Sequence, residues 1–252
     1  MTSAPIQGLP LPLSPSELGT IIGLKSTPFV TLVSLSDLQH QLGDKTLDPA
    51  LFLTETELEK YRSYSYPKRR VEWLGGRIAV KRAAIELLND RQASDYLDWQ
   101  ITPDPDGRPF LTRVDDHVKP AVEISLSHSH ELSVGLAVFE VPCGIDIQKT
   151  SPAVIRVREK FCTGREKTIC ETLAVNNEEM QLTLLWSAKE ALRKARGGSP
   201  LTGFLEMELV SLANPEVDCW TFSFRIRKTA DQPIHRVAVF IYQDYGCSVA
   251  LG

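Results

Sequence analysis

The segment Gly144-Ile145-Asp146-Ile147-Gln148 places one acidic side chain inside an apolar run that is typical of a buried strand. Further along the chain, Trp186-Ser187-Ala188-Lys189-Glu190-Ala191 lies within a strongly helix-forming stretch. A carboxylate in an apolar strand is costly unless it is paired, hydrogen-bonded or bound to a metal. Together the two segments indicate a site for a metal ion and a phosphate group.

The second segment favours this interpretation only in combination with the first. On a helix, Trp186, Lys189, Glu190, Arg193 and Lys194 fall along one stripe. A solvated helix face with a Glu190–Lys194 pair produces the same pattern, and the spacing alone favours that simpler explanation. The acid at Asp146 reverses the preference, because two carboxylates supply the oxygen ligands that Mg²⁺ takes in proteins.

The periodicity of the chain predicts a mixture of helices and strands on both sides of these segments. In the first half we expect a strand at Phe29–Leu35, short helices within Asp48–Tyr66, a helix at Arg69–Leu88, and two strands within Ile124–Phe139 around a bend at Ser127–Glu131. In the second half we expect a strand at Cys143–Ile147, helices at Val154–Leu173 and Glu178–Arg196 with a Gly197-Gly198 cap, and strands at Leu205–Leu212, Trp220–Ile226, His235–Tyr242 and Cys247–Leu251.

The two halves of the sequence share a weak internal repeat. Trp73 precedes Lys81 by eight positions, as Trp186 precedes Lys194. The repeat predicts a duplication, in which case the site falls between the halves.

Composition narrows the function classes. The chain has 252 residues, of which 42% are hydrophobic and 24% charged, as in ordinary globular proteins. A net charge of −4 argues against a nucleic-acid partner. The five cysteines show no CxxC spacing and predict reduced, buried thiols rather than disulfides or zinc. No apolar run or leader-like N-terminus indicates a membrane or an export signal, so we expect a cytoplasmic protein.

Two further motifs precede the opening segments, and the set resembles a known family. With Arg108-Pro109-Phe110 and Ser125-Leu126-Ser127-His128-Ser129, the order and spacing resemble the 4'-phosphopantetheinyl transferases of the large, surfactin-synthetase-activating type. The resemblance implies an α+β fold, with two similar, sandwich-like α/β subdomains related by a pseudo-twofold. These would span residues 1–141 and 142–252, with the active site at their interface and a monomer sufficient for activity.

The same resemblance implies the reaction. It is a Mg²⁺-dependent transfer of the phosphopantetheine arm of coenzyme A to a serine of an apo acyl or peptidyl carrier protein, which releases adenosine 3',5'-bisphosphate. Asp146 and Glu190 are implied to hold the metal, and Glu190, or a water on the metal, to take the serine proton. Lys194 and Lys189 are implied to meet the phosphates, with Lys194 the stronger candidate for direct contact.

The resemblance also implies a set of coenzyme A contacts. These are Arg108, Ser127 and His128, with a looser match across the basic residues Lys68, Arg70 and Arg77.

One position departs from the family pattern. Gln148 stands where a second acid often follows the first by two residues. Its amide oxygen can still ligate Mg²⁺ directly or through a water, but the site loses one negative charge. We therefore expect weaker metal binding rather than loss of activity.

Two alternatives stay open on the sequence. One is a non-catalytic module that binds coenzyme A or a carrier protein, weakened at Gln148. The other is a metal-dependent enzyme that acts on a different nucleotide or phosphoester. Because Asp146, Lys189, Glu190 and Lys194 are all present, the sequence favours catalysis over binding alone.

Overall fold

A computed structural model describes residue 9 and residues 12–24, 27–88, 95–115, 121–198, 200–216, 218–227 and 233–252. The chain divides into two compact units. The N-terminal unit comprises Met1–Leu11 and Ser26–Val141, and the C-terminal unit comprises Pro12–Lys25 and Pro142–Gly252. Helix α1 (Pro15–Ile22), which begins with a capping box at Ser14, therefore groups with the C-terminal unit.

The N-terminal unit packs a long helix on a three-stranded sheet. In chain order its elements are β1 (Phe29–Ser34), α2 (Leu35–Gly43), α3 (Glu55–Ser63), α4 (Pro67–Leu88), β2 (Trp99–Pro103), β3 (Pro109–Arg113), β4 (Val122–Ser129) and β5 (Leu132–Phe139). The antiparallel sheet has the order β1-β5-β4, and β2 and β3 form a separate hairpin. A Cβ at Gly135 of β5 would collide with the backbone of Ala79 and Val80, so glycine permits the close approach of α4.

The C-terminal unit packs its longest helix on a five-stranded sheet. Besides α1, its elements are β6 (Cys143–Lys149), α5 (Ala153–Arg156), α6 (Gly164–Cys170), α7 (Glu178–Arg196), β7 (Met207–Glu216), β8 (Cys219–Ile226), β9 (Ile234–Tyr242) and β10 (Tyr245–Leu251). The antiparallel sheet has the order β6-β10-β9-β8-β7. Gly144 of β6 lies against the backbone of Ala191 and Ala195, which brings α7 directly onto the edge of the sheet.

Both units present their elements in the same order. Each has a strand, a short helix, a 3-10 turn, a capped helix, a long helix, a second 3-10 turn and two antiparallel hairpins. The 3-10 turns lie at Pro49–Leu51 and Tyr96–Asp98 in one unit and at Arg158–Lys160 and Phe204–Glu206 in the other. The predicted α+β fold with two similar subdomains is confirmed at this level, and the shared order supports an internal duplication.

The predicted helix at Val154–Leu173 is wrong, because the structure breaks it into α5, a 3-10 turn and α6. Thr163 has an extended backbone and caps a new helix through a capping box with Glu166. Phe161, just before the break, is fully buried in the core of the unit. Tertiary burial and a new cap therefore override helical periodicity in this segment.

The predicted bend at Ser127–Glu131 is narrower than expected. Ser127 and His128 lie within strand β4, and only His130 and Glu131 form the turn to β5. His130 adopts a positive φ of 51°, which accomplishes the reversal in two residues.

Two expectations from composition can be compared with the structure. All five cysteines are buried thiols, as predicted. Across the described ranges, no helix combines the length and apolar character needed to cross a bilayer.

Candidate active site

Asp146 lies on β6 beneath helix α7, and only 2% of it is exposed. The ammonium of Lys194 donates to its Oδ1 at 2.8 Å and to the carbonyl of Ile145 at 2.9 Å. Burial of a lone carboxylate is costly, and this ion pair offsets that cost. The acid that the sequence placed in an apolar strand is therefore held by a cation from α7.

Glu190 is the second acid, and its side chain is 15% exposed. Arg193, one turn further along α7, donates to both carboxylate oxygens at 3.0 and 2.8 Å. Burial, and then the negative charge of Asp146, raise the pKa of Glu190 above its ordinary value. The two acids are thus close enough to repel each other, and each is held by a cation of the same helix.

Helix α7 is well specified by its ends. Asn177 caps it by accepting from the backbone N–H groups of Glu179 and Met180, and Gly197 ends it with a φ of 59°. Acidic residues occupy its first turn, and Arg193, Lys194 and Arg196 occupy its last. The cations that hold the two acids are therefore also favourably placed against the helix dipole.

Gln148 lies two residues after Asp146 on β6 and is partly exposed. Alternation along a strand places both side chains on the same face. Over the residues that the structure describes, no group of three or more His, Cys, Asp or Glu side chains could hold a metal. Carboxylate and amide oxygens are nevertheless donors that Mg²⁺ takes, and this ion usually keeps several waters besides its protein ligands.

The ammonium of Lys189 is held by groups other than the two acids, although the sequence placed Lys189 on the same stripe as Glu190. Its ammonium is fully buried and contacts Glu166 at 2.6 Å. It also donates to the carbonyls of Phe161 at 2.7 Å and Phe204 at 3.1 Å. Three donors meet three acceptors, so this ammonium is saturated within the unit. Trp186 packs against the same two phenylalanines, with ring centroids 4.9 Å apart in each case.

The N-terminal unit contains a second lysine in an equivalent environment. Lys81 of α4 is fully buried and contacts Glu57 at 2.5 Å, and it donates to the carbonyls of Phe52 and Tyr96, both at 3.0 Å. Glu57 accepts from the backbone of Ile101, as Glu166 accepts from that of Leu209. In both pairs the acid also completes a capping box, on Thr54 and on Thr163.

This pairing fixes the register of the duplication. Lys81 corresponds to Lys189, whereas the Trp–Lys spacing had aligned Lys81 with Lys194. The position after Lys81 is Arg82, so Glu190 has no acidic counterpart in α4. Because the buried lysine occurs in both units and the Glu190 carboxylate in only one, the lysine pair serves the fold.

The six residues implied to bind coenzyme A all belong to the N-terminal unit, where they occupy different environments. Glu72 of α4 brings two of them together: His128 Nε2 lies 3.6 Å from one carboxylate oxygen, and Lys68 Nζ lies 3.8 Å from the other. The Lys68 side chain is 80% exposed. The guanidinium of Arg108 lies 3.2 Å from the Glu123 carboxylate. Glu123 and the buried Ser127 both belong to strand β4.

The other two basic residues have structural contacts. Arg70 donates to the carbonyls of Tyr64 at 2.6 Å and Arg62 at 3.4 Å. Arg77 lies over the Trp73 ring at 4.4 Å and 3.6 Å from a Glu57 oxygen, and burial lowers its pKa. Both guanidinium groups therefore stabilise the region around α4.

Sequence reasoning missed the acids that hold the buried lysines. A signal existed in the Thr-x-x-Glu spacing of Thr54–Glu57 and of Thr163–Glu166, which recurs 109 positions later. Arg193 was named as part of the stripe, but its pairing with Glu190 was not predicted.

The C-terminal unit contains the part of the chain that matches a known protein family. Residues 142–250 match the model of the 4'-phosphopantetheinyl transferase superfamily. A holo-[acyl-carrier-protein] synthase of Lactococcus lactis is 34% identical over 110 residues, which is 43% of this chain and 91% of that protein. The 4'-phosphopantetheinyl transferase gsp of Aneurinibacillus migulanus is 32% identical over 48% of this chain and 51% of its own length. The transferase psf-1 of Bacillus pumilus is 32% identical over 36% of each chain.

Proposed function

Since the chain belongs to the 4'-phosphopantetheinyl transferase superfamily, we propose that it transfers the 4'-phosphopantetheine arm of coenzyme A to a serine of an apo carrier protein. Adenosine 3',5'-bisphosphate is the other product. The observation that carries the proposal is the pair of neighbouring acids, Asp146 and Glu190, each held by a cation of α7. A module that only binds its ligands has little need for both of these acids.

Asp146 and Glu190 would hold Mg²⁺, with Gln148 as a further direct or water-mediated ligand. The bound ion would orient the pyrophosphate of coenzyme A and offset its charge. This chain supplies the frame for that arrangement, because β6 fixes Asp146 and the capped α7 fixes Glu190.

Glu190 is the proposed acceptor of the serine proton, directly or through a water. As the serine oxygen forms a bond to the β-phosphorus of coenzyme A, its proton passes to a Glu190 carboxylate oxygen. The phosphoanhydride bond breaks, and its electron pair leaves with adenosine 3',5'-bisphosphate. Burial raises the pKa of Glu190, which makes its carboxylate a better proton acceptor.

Lys194 is the proposed phosphate contact. Its side chain is 32% exposed, so its ammonium can exchange the Asp146 carboxylate for a phosphate oxygen. Lys189 holds a saturated, buried position, and we assign it a structural role instead.

For coenzyme A recognition we retain Arg108, Ser127, His128 and Lys68 as candidates. Lys68 and His128 share Glu72, and an anionic phosphate would compete with this carboxylate for them. Arg70 and Arg77 are set aside because their guanidinium groups already serve the fold.

The test is the intact mass of apo carrier proteins incubated with this protein, coenzyme A and Mg²⁺. We expect a gain of one phosphopantetheine per carrier, and a loss of rate of roughly a hundred-fold or more in Asp146→Asn and Glu190→Gln. Glu171→Gln, a change of an exposed acid on the same unit, is the matched control and should keep the full rate.

The panel should include acyl and peptidyl carriers. If no carrier gains mass while coenzyme A or a carrier still binds, the protein is a binding module and the proposal fails.

A further inference from the structure

Ser248 lies on β10 and is a buried polar residue. The residue is fully buried, and within the described part of the chain its Oγ has no hydrogen-bond partner. A buried hydroxyl without a partner costs roughly 1–3 kcal/mol, so such a group calls for a specific explanation.

The position of Ser248 connects it to the proposed site. It lies directly opposite Asp146 in the β6–β10 pair, so both side chains share the sheet face and their Cβ atoms are about 5 Å apart. This is the face against which α7 packs, since Gly144 and Gly246 on either side both lie against that helix. Asp146 and Ser248 thus form a polar row between small residues.

The N-terminal unit supplies an internal comparison. Gly135 of β5 lies against Ala79 and Val80, the two positions before Lys81. In the other unit Ser187, two positions before Lys189, donates to the carbonyl of Asp146. The rows Thr31–Gly135 and Asp146–Ser248 therefore lie at the same level beneath the two long helices.

This comparison indicates that the packing of the long helix does not require the Ser248 hydroxyl. Where the acid position holds Thr31, its partner Gly135 has no side chain at all. Where the acid is present, its partner carries a hydroxyl. A long helix packs closely on the sheet at Gly135, where there is no hydroxyl. The hydroxyl of Ser248 occurs only in the unit that has the acid, Asp146.

We propose that Ser248 is a positioning residue for Asp146, and that its hydroxyl donates to this carboxylate when Asp146 holds the metal. The inference rests on the proposed function. In this structure Lys194 occupies the carboxylate, and a dication at the same carboxylate repels that ammonium. A neutral hydroxyl supports the carboxylate without adding positive charge, and one rotation about the Cα–Cβ bond changes its direction.

The test measures binding of Mn²⁺ alone by calorimetry, without coenzyme A or carrier. We expect the dissociation constant of Ser248→Ala to rise roughly three- to ten-fold over that of the parent protein, as for the loss of one hydrogen bond. Ser248→Cys keeps the side-chain volume but donates weakly, so it should show a similar loss. The melting temperature of Ser248→Ala without metal should be unchanged or higher, because a buried hydroxyl without a partner is removed.

Ser133→Ala is the matched control, because Ser133 is a fully buried serine of β5 that donates to the carbonyl of Ser127. It should lower the melting temperature and leave Mn²⁺ affinity unchanged. If both Ser248 variants bind Mn²⁺ as the parent does, or if the parent binds none, the inference is overturned. If the parent protein modifies its carrier and binds Mn²⁺, and the two Ser248 variants bind Mn²⁺ with the same affinity as the parent, only this inference is overturned. If the parent protein modifies no carrier, the proposed function is overturned.

Discussion

Gln148 occupies the face of β6 that also carries Asp146, and it is partly exposed. With a neutral amide here, the proposed metal site contains two carboxylates, Asp146 and Glu190. Exposure means that a third carboxylate at this position would be partly hydrated, so its own desolvation would be modest. A substitution at Gln148 therefore changes the charge of the proposed site with little disturbance of packing.

We expect Gln148→Glu to lower the Mg²⁺ concentration for half-maximal transfer by roughly two- to ten-fold, since a carboxylate binds Mg²⁺ more strongly than an amide. Carrier modification measured against Mg²⁺ concentration checks this. Gln41→Glu makes the same charge change on α2 and should leave the curve in place. An unchanged or raised half-saturating concentration in Gln148→Glu would exclude Gln148 from the metal site.

Lys189 shows what sequence alone could not decide. The motif and its helical spacing correctly placed the residue on α7 next to Glu190. Its three acceptors, Glu166, Phe161 and Phe204, come from segments far from it in the chain, and no local pattern indicates that they converge. The position of Asp146 in a buried strand was predictable, because one acid within an apolar run is a local signal.

Helices α4 and α7 are each attached to their units by a buried ion pair. In each pair the lysine comes from the long helix, and the acid from the first turn of the shorter capped helix. Such a pair fixes which turn of one helix faces the other, since a shift of one residue would leave both charges buried without partners. The two contacts therefore set the register of both long helices.

We expect Lys189→Met to destabilise the protein by about 3–5 kcal/mol, because it leaves the Glu166 carboxylate buried and unpaired. Denaturant unfolding of the parent and the variant measures this. Adding Glu166→Gln should recover part of the loss, because it removes the buried charge.

Lys81→Met is the matched control in the other unit and should cost a similar amount, with the loss likewise reduced by Glu57→Gln. If Lys189→Met kept full stability and lost only its transfer rate, the lysine would act on substrate and its assignment to the fold would be wrong.

Elements with strong local patterns were predictable, and those fixed by tertiary contacts were not. The predictions for β1, α4, α7 and β8 agree with the observed elements within a few residues, because periodicity and end signals coincide there. The region of α5 and α6 was mispredicted, because the break depends on the burial of Phe161 and the cap at Thr163. The burial of Phe161 has no local signal, whereas the Thr-x-x-Glu spacing of Thr163–Glu166 was a local signal for the cap.

Only one of the two similar units carries the acids. The row of Asp146 and Ser248 corresponds to Thr31 and Gly135, and Glu190 corresponds to Arg82. Arg82 instead pairs with Glu86 on the surface of α4, at 3.0 Å. The duplicated architecture therefore limits the proposed metal site to one for each chain.

We expect calorimetric titration with Mn²⁺ to give a stoichiometry of one per chain, because the second unit has no acid pair at the equivalent level. Asp146→Asn should abolish the binding, whereas Thr31→Ala should leave it intact. A stoichiometry of two, or a site that survives Asp146→Asn, would contradict this assignment.

The paired lysines have a consequence for the history of this chain. After a gene duplication, the two copies are free to diverge wherever selection no longer requires identity. Lys81 and Lys189 keep the same three partners, one carboxylate and two backbone carbonyls, whereas Asp146 and Glu190 have no acidic counterparts in the other unit. Comparing one half of this protein with the other therefore distinguishes residues that the shared fold requires from residues that serve the proposed chemistry.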